Sequence, residues 1–85
     1  METKSIFIAS IAERDSNGDL YSCLLHGKTE SELVEKVNNF FEEEKEEGHE
    51  VPNAVFSSVS EIDSTSLTDV YDDREYALSA QEIKL

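Results

Sequence analysis

Apolar and polar positions change period along this chain, and the changes mark its elements. Ser5-Ile6-Phe7-Ile8-Ala9-Ser10-Ile11-Ala12 and Leu20-Tyr21-Ser22-Cys23-Leu24-Leu25 are short apolar runs of strand length. Between them stands Asn17-Gly18, which tolerates positive φ at both central positions of a type I′ turn, so the spacing predicts a β-hairpin. The period then becomes helical. Leu33, Val34, Val37, Phe40 and Phe41 fall at i, i+1, i+4, i+7 and i+8, an apolar stripe that would pack across the sheet. Thr29-Glu30-Ser31-Glu32 is a capping box, with Thr29 as N-cap and Glu32 returning a bond to a backbone donor. Gly48 suits the C′ position, and Pro52 prevents continuation.

A continuous helical wheel puts Glu44 on the face of Val37, so the packed stripe is expected to stop at Phe41 and the last turn to project beyond the core. Ala54-Val55-Phe56-Ser57-Ser58-Val59-Ser60-Glu61-Ile62 is rich in β-branched and aromatic residues and reads as a third strand. Ser64-Thr65-Ser66 reads as a loop and Thr68 to Glu75 as an acidic connection. Tyr76 to Leu85 closes the domain as a strand or a short terminal helix; Leu78, Ile83 and Leu85 fit either. The expected fold is α+β: an antiparallel sheet of a hairpin and one or two further strands, with one amphipathic helix on one face.

The stretch from Gly27 to Phe41, followed by Gly48-His49-Glu50-Val51-Pro52, resembles the helix region of the HicB-like antitoxin family. Members show a strand hairpin, a Gly-x-Thr-x-x-Glu helix start and a Gly-x-x-x-Pro exit to another strand. The likeness spans a third to a half of the chain. It departs from the family in lacking a Pro-Gly segment before the Gly-x-Thr start and a DNA-binding extension afterwards. It implies a β-β-α-β order and inhibition of a small RNA-cleaving toxin by direct binding.

Charge changes the picture most. The chain of 85 residues has 20 Asp and Glu against 7 Lys and Arg, a formal net charge of −13. That balance opposes direct binding to nucleic acid or anionic lipid and points to a basic partner; the plainer reading is an acidic surface kept for solubility. The acids are also unevenly spread. Residues 29–50 hold nine acids against two bases and residues 61–85 seven against two, whereas residues 1–28 hold four against three. Within Glu42-Glu43-Glu44-Lys45-Glu46-Glu47, the pairs Glu42/Glu46 and Glu43/Glu47 set like charges at i, i+4, each costing roughly 0.2–0.5 kcal/mol. Carboxylates at a helix C-terminus also oppose its dipole by roughly 0.3–1 kcal/mol each. Local stability is thus sacrificed where a frayed, solvated helix end is the alternative reading.

Candidate chemistry elsewhere is sparse. Asp15, Asn17 and Asp19 alternate as in a calcium loop, but Leu20 stands where Gly is required and His26 where the bidentate Glu is required. Cys23 has no partner for a disulfide or zinc site. On a strand Cys23 and His26 point to opposite faces, so no nucleophile–base pair forms between them. His49 reads as a solvated loop histidine, and a weak divalent-ion site among the carboxylates stays open as an alternative. Neither an 18-residue apolar run nor a charged-then-apolar leader is present, which predicts a single cytoplasmic domain.

The expected function is non-enzymatic, with no cofactor or metal: an inhibitor or decoy whose carboxylates occupy the basic groove of a nucleic-acid-binding protein or nuclease. Glu42, Glu43, Glu44, Glu46 and Glu47 form the first expected contact patch, and Asp69, Asp72, Asp73 and Glu75 the second. The rival is an interaction or assembly subunit, homodimers included, that uses a sheet edge or an apolar patch near Phe56 or Tyr71.

Overall fold

The computed structural model describes residues 4–85. Strand β1 (Ser5–Arg14) and strand β2 (Leu20–Gly27) form the antiparallel hairpin, with Arg14 opposite Leu20 and Phe7 opposite Gly27. Its connection differs from the expected two-residue turn. Gly18 N–H donates to the Asp15 carbonyl at 3.0 Å, Asp15 N–H donates to the Asp19 carbonyl at 3.0 Å, and of these residues only Gly18 has a positive φ, 86°. This is the three-residue loop with a glycine bulge. Asp15 selects it: one Asp15 carboxylate oxygen accepts from the N–H groups of both Asn17 and Asp19 at 3.0 Å, holding Asn17 out of the left-handed region.

Helix α1 (Glu30–Glu46) starts at Thr29, whose hydroxyl accepts from Glu32 N–H at 3.1 Å. The return bond of the capping box goes one residue further back, from Lys28 N–H to the Glu32 carboxylate at 3.3 Å. At the other end Gly48 N–H donates to the Lys45 carbonyl and His49 N–H to the Glu44 carbonyl, at 3.0 and 2.9 Å, with Gly48 at φ 98°. That double bond pattern is a Schellman motif, and it fixes the end of α1 against fraying.

The third strand expected over Ala54 to Ile62 is corrected. Residues 50–58 instead form a loop beside α1, with a turn at Pro52-Asn53 where Asn53 has φ 64°, and a short helix α2 (Val59–Ile62) follows. Two side chains override the strand propensity. Asn38 on α1 accepts from Phe56 N–H at 2.9 Å and donates to the Phe56 carbonyl at 3.0 Å, so its amide replaces the neighbouring strand that Phe56 would need. Ser58 then caps α2 by accepting from Glu61 N–H at 3.2 Å, while Glu61 accepts from Ser57 N–H at 2.7 Å.

Strand β3 (Ser66–Thr68) and strand β4 (Glu75–Lys84) complete a four-stranded antiparallel sheet in the order β2-β1-β4-β3. Residues 75–84 are therefore strand, which settles the alternative left open by the sequence. The edge of β4 beyond β3 is covered by Thr65 and Asp63, which accept from Leu78 N–H at 2.8 Å and Ala80 N–H at 3.0 Å. Alternation along the paired strands puts Ala9, Ile11, Leu78, Tyr76 and Ala80 on the inner face, where they pack under Leu33, Val34, Val37 and Phe41 of α1 and Ile62 of α2. The fold is α+β, with one main helix on one face of the sheet. Among the described residues no helix is long and apolar enough to cross a membrane.

Candidate functional site

α1 begins beside Gly27, where β2 ends, and runs toward the end of the sheet that carries the hairpin loop and the β3–β4 connection. Its acidic last turns therefore arrive where Glu13, Arg74 and Tyr76 leave the sheet. The apolar stripe does not stop at Phe41. Glu44 occupies the next position on that stripe and is 8% exposed, so the expectation that it projects beyond the core is corrected. The interior accepts it because Tyr76, on the inner face of β4, donates its hydroxyl to Glu44 Oε1 at 3.3 Å. Glu13 stands on the inner face of β1 opposite Tyr76 and accepts from Arg74 Nη1 at 2.8 Å, with both side chains largely buried.

Burial pushes the Glu44 carboxyl up to about 7, reinforced by the charge of Glu13 and by hydrogen bonds to Glu13 and Glu47, and opposed by His49. Burial, followed by the charges of Glu44 and Glu13, also raises the Tyr76 phenol. Arg74 stays cationic: desolvation acts against its charge, and the bond to Glu13 outweighs it.

The second acidic segment is tied to this helix end. His49 Nδ1 lies 2.8 Å from Asp69 Oδ2 and 3.7 Å from Asp72 Oδ2, so the histidine expected to be solvated is a linker between the segments. Asp69 is 3% exposed and accepts from Tyr71 N–H at 2.8 Å and Glu50 N–H at 3.3 Å. Burial acts to raise the Asp69 carboxyl, but the Tyr71 N–H, His49 and the Glu50 N–H together hold it below the usual range. Val70 N–H donates to the Glu50 carbonyl at 2.9 Å, and Asp69 N–H to the Arg74 carbonyl at 2.8 Å. The connection is thus fastened to residues 49–50 through Asp69, Val70 and Asp72.

The nine acids of the two expected patches consequently separate by position. Glu42, Glu43, Glu46, Glu47, Asp72 and Asp73 are exposed, on the end of α1 and the loop fastened beside it. Glu44 and Asp69 are interior and hold the two segments in place, so both are corrected from contact residues to supports. Glu75 is exposed on the outer face of the sheet, 3.9 Å from Arg14. Phe56, expected at an apolar surface patch, is 6% exposed and belongs to the core, whereas Tyr71 is 74% exposed.

A cleft of about 380 Å³ opens between these segments, lined by Glu13, Tyr21, Glu43, Glu44, Glu47, His49 and Arg74 among others. Donor atoms of Glu44, Glu47 and His49 lie within 4.8 Å of one another, as do those of His49, Asp69 and Asp72, and either set has the reach to hold a divalent cation. The cleft can also keep a proton at neutral pH on Glu44. Glu13, His49, Arg74 and Tyr76 were not assigned to the site from the sequence. Strand alternation offered a signal, since Glu13 is in phase with Ala9 and Ile11, and Tyr76 with Leu78 and Ala80. No family model, no curated protein and no solved structure matches this chain.

Proposed function

We propose that the protein is a non-enzymatic inhibitor or decoy, acting in the cytoplasm, whose exposed carboxylates occupy the basic nucleic-acid-binding surface of a partner protein. The observation that carries this reading is the fastening of residues 69–74 to the end of α1 through His49 and Asp69, which gathers acids distant in sequence at one end of the molecule. A free loop would lose conformational entropy on ordering against a partner; a fastened one has already lost it in folding. The Schellman motif gives the helix end the same advantage. Carboxylates fixed in this way can replace phosphates against Lys and Arg side chains, and displacement of counterions from the partner adds to binding at low salt. The likeness of residues 27–52 to HicB-like antitoxins has a compatible implication, direct inhibition of a small ribonuclease.

The test is affinity capture from the native host at low and high salt, using wild type and a variant with Glu43, Glu46, Asp72 and Asp73 replaced by Lys. The expected catch is a basic nucleic-acid-binding protein that is released by salt, displaced by nucleic acid and lost in the variant. Capture indifferent to both salt and the four replacements overturns the proposal. Glu44, Asp69 and the bond from Val70 N–H to the Glu50 carbonyl are left in place, and unchanged amide protection at Val70 in the variant shows that the segments stay together without the Asp72–His49 contact, so that loss of binding reports on the exposed charges.

A further inference from the structure

The sheet has a second face, and its composition is unlike the rest of the chain. Outward positions of β1, β2 and β4 carry Ile6, Ile8, Leu20, Leu24 and Ile83 among Ala, Ser, Gln and a single histidine, His26, besides Arg14 and Glu75. Leu20 is 71% and Leu24 67% exposed. Arg14 and Glu75 are the only outward strand residues of these elements with a full charge, and they pair with each other at 3.9 Å. In a protein of net charge −13, this leaves the outward strand positions of a whole sheet face without an unpaired carboxylate, Asp63 at the β4 edge being the nearest one. Beside Leu20 and Leu24 the same face has two depressions, of about 300 and 360 Å³, the first floored by Ala12 and Ala77 and rimmed by the Arg14–Glu75 pair, the second floored by Ile8, Ser10 and Ser79 and rimmed by Asp63, whose carboxylate accepts from Ala80 N–H.

We propose that this face binds a second copy of the chain, forming a two-sheet sandwich in which Leu24 and Leu20 of each copy fill the depressions of the other. A twofold arrangement makes the surface self-complementary, because the protruding leucines and the hollows lie on one patch. A highly acidic protein repels its own copy least when the two meet through a face free of net charge. Strand spacing and rise give the face a footprint of about 500 Å². Two such faces bury on the order of 1,000 Å², the area at which specific interfaces begin. Sheets facing each other pack about 10 Å apart with their strands within about 30° of aligned. The dimer would then present two acidic ends, and a partner with two basic sites would bind it with an avidity that one copy lacks.

The experiment is sedimentation of the full chain from about 1 μM to about 1 mM, a span in which modest interfaces dissociate, at low salt and with added NaCl. A reversible shift from the 9.6 kDa monomer to twice that mass is expected. Salt should strengthen it, by screening repulsion between copies, in contrast to the weakening expected of partner capture. Leu24→Lys should weaken the dimer at least tenfold while leaving the circular dichroism spectrum unchanged, since the side chain is exposed in the monomer. Leu20→Lys is the second variant. A monomer throughout the range overturns the proposal, and so does a dimer that both lysine variants leave intact, because that outcome assigns pairing to a different surface. Partner capture by a monomeric chain would leave the decoy reading standing and remove only the sandwich.

Discussion

At the residue scale, Glu44 is the side chain whose behaviour departs furthest from its type. Its carboxyl titrates near 7 in the folded protein, above the ordinary 4.5, so the native state binds the extra proton more tightly than the unfolded chain does. The associated stability is fully present below about pH 4.5 and is lost as pH rises through about 7. Glu44→Gln keeps the acceptor for Tyr76 and removes the ionisation. It should therefore raise the unfolding free energy at pH 8 by on the order of 1–3 kcal/mol and change it little at pH 4.5, as urea titrations at both pH values would measure. Asp69 works in the opposite direction. Its depressed carboxyl gives stability that is present above its unfolded value of 3.8 and disappears as pH falls below it. Asp69→Asn should release the β3–β4 connection from His49, and amide exchange at Val70 and Tyr71 should accelerate while the β1–β4 ladder keeps its protection.

At the scale of elements, Asn38 decides what residues 54–58 become. Removing its amide leaves two part-buried backbone groups of Phe56 without partners, so Asn38→Ala should cost about 2–4 kcal/mol. Asn39→Ala, on the exposed side of the same helix, should stay within about 0.5 kcal/mol, and chemical denaturation distinguishes the two. This contrast also explains which elements were legible in the sequence. The hairpin and α1 were, because each is specified by its own neighbours: a Gly at the turn, a Thr-x-x-Glu start, a Gly after the last turn. The strand expected over 54–62 does not form because the Phe56 backbone bonds a helix side chain, its ring joins the core, and the Ser58-Val59-Ser60-Glu61 cap prevails over the β propensity. β4 could not be told from a helix locally; its partner, β1, lies some seventy residues earlier. The candidate site was half legible. The exposed acids were identified, but the buried set of Glu13, Glu44, His49, Asp69, Arg74 and Tyr76 meets only through pairing of distant strands.

At the scale of the whole molecule, charge is sorted by surface: dense at the helix end and adjoining loop, nearly absent from the outer sheet face. Crowding acids at one end costs stability through mutual repulsion. Raising the ionic strength from about 0.01 M to about 0.15 M shortens the screening length from about 30 Å to about 8 Å, so the melting temperature should rise with NaCl. The variant with Lys at Glu43, Glu46, Asp72 and Asp73 should show a smaller rise, which differential scanning calorimetry can read. An equal rise in both proteins would locate the repulsion elsewhere in the chain.

The strand order adds a constraint on how the molecule comes into being. β1 lies between β2 and β4, so this sheet's N-terminal strand waits for its C-terminal strand before its second flank is filled. A nascent chain on the ribosome can close the hairpin and wind α1, yet Tyr76, Leu78 and Ala80 are still missing from beneath that helix. During this interval β1 offers an open ladder of backbone groups to any passing strand. Completion falls to the moment β4 emerges, and a chaperone that shields β1 until then would raise the yield of native protein.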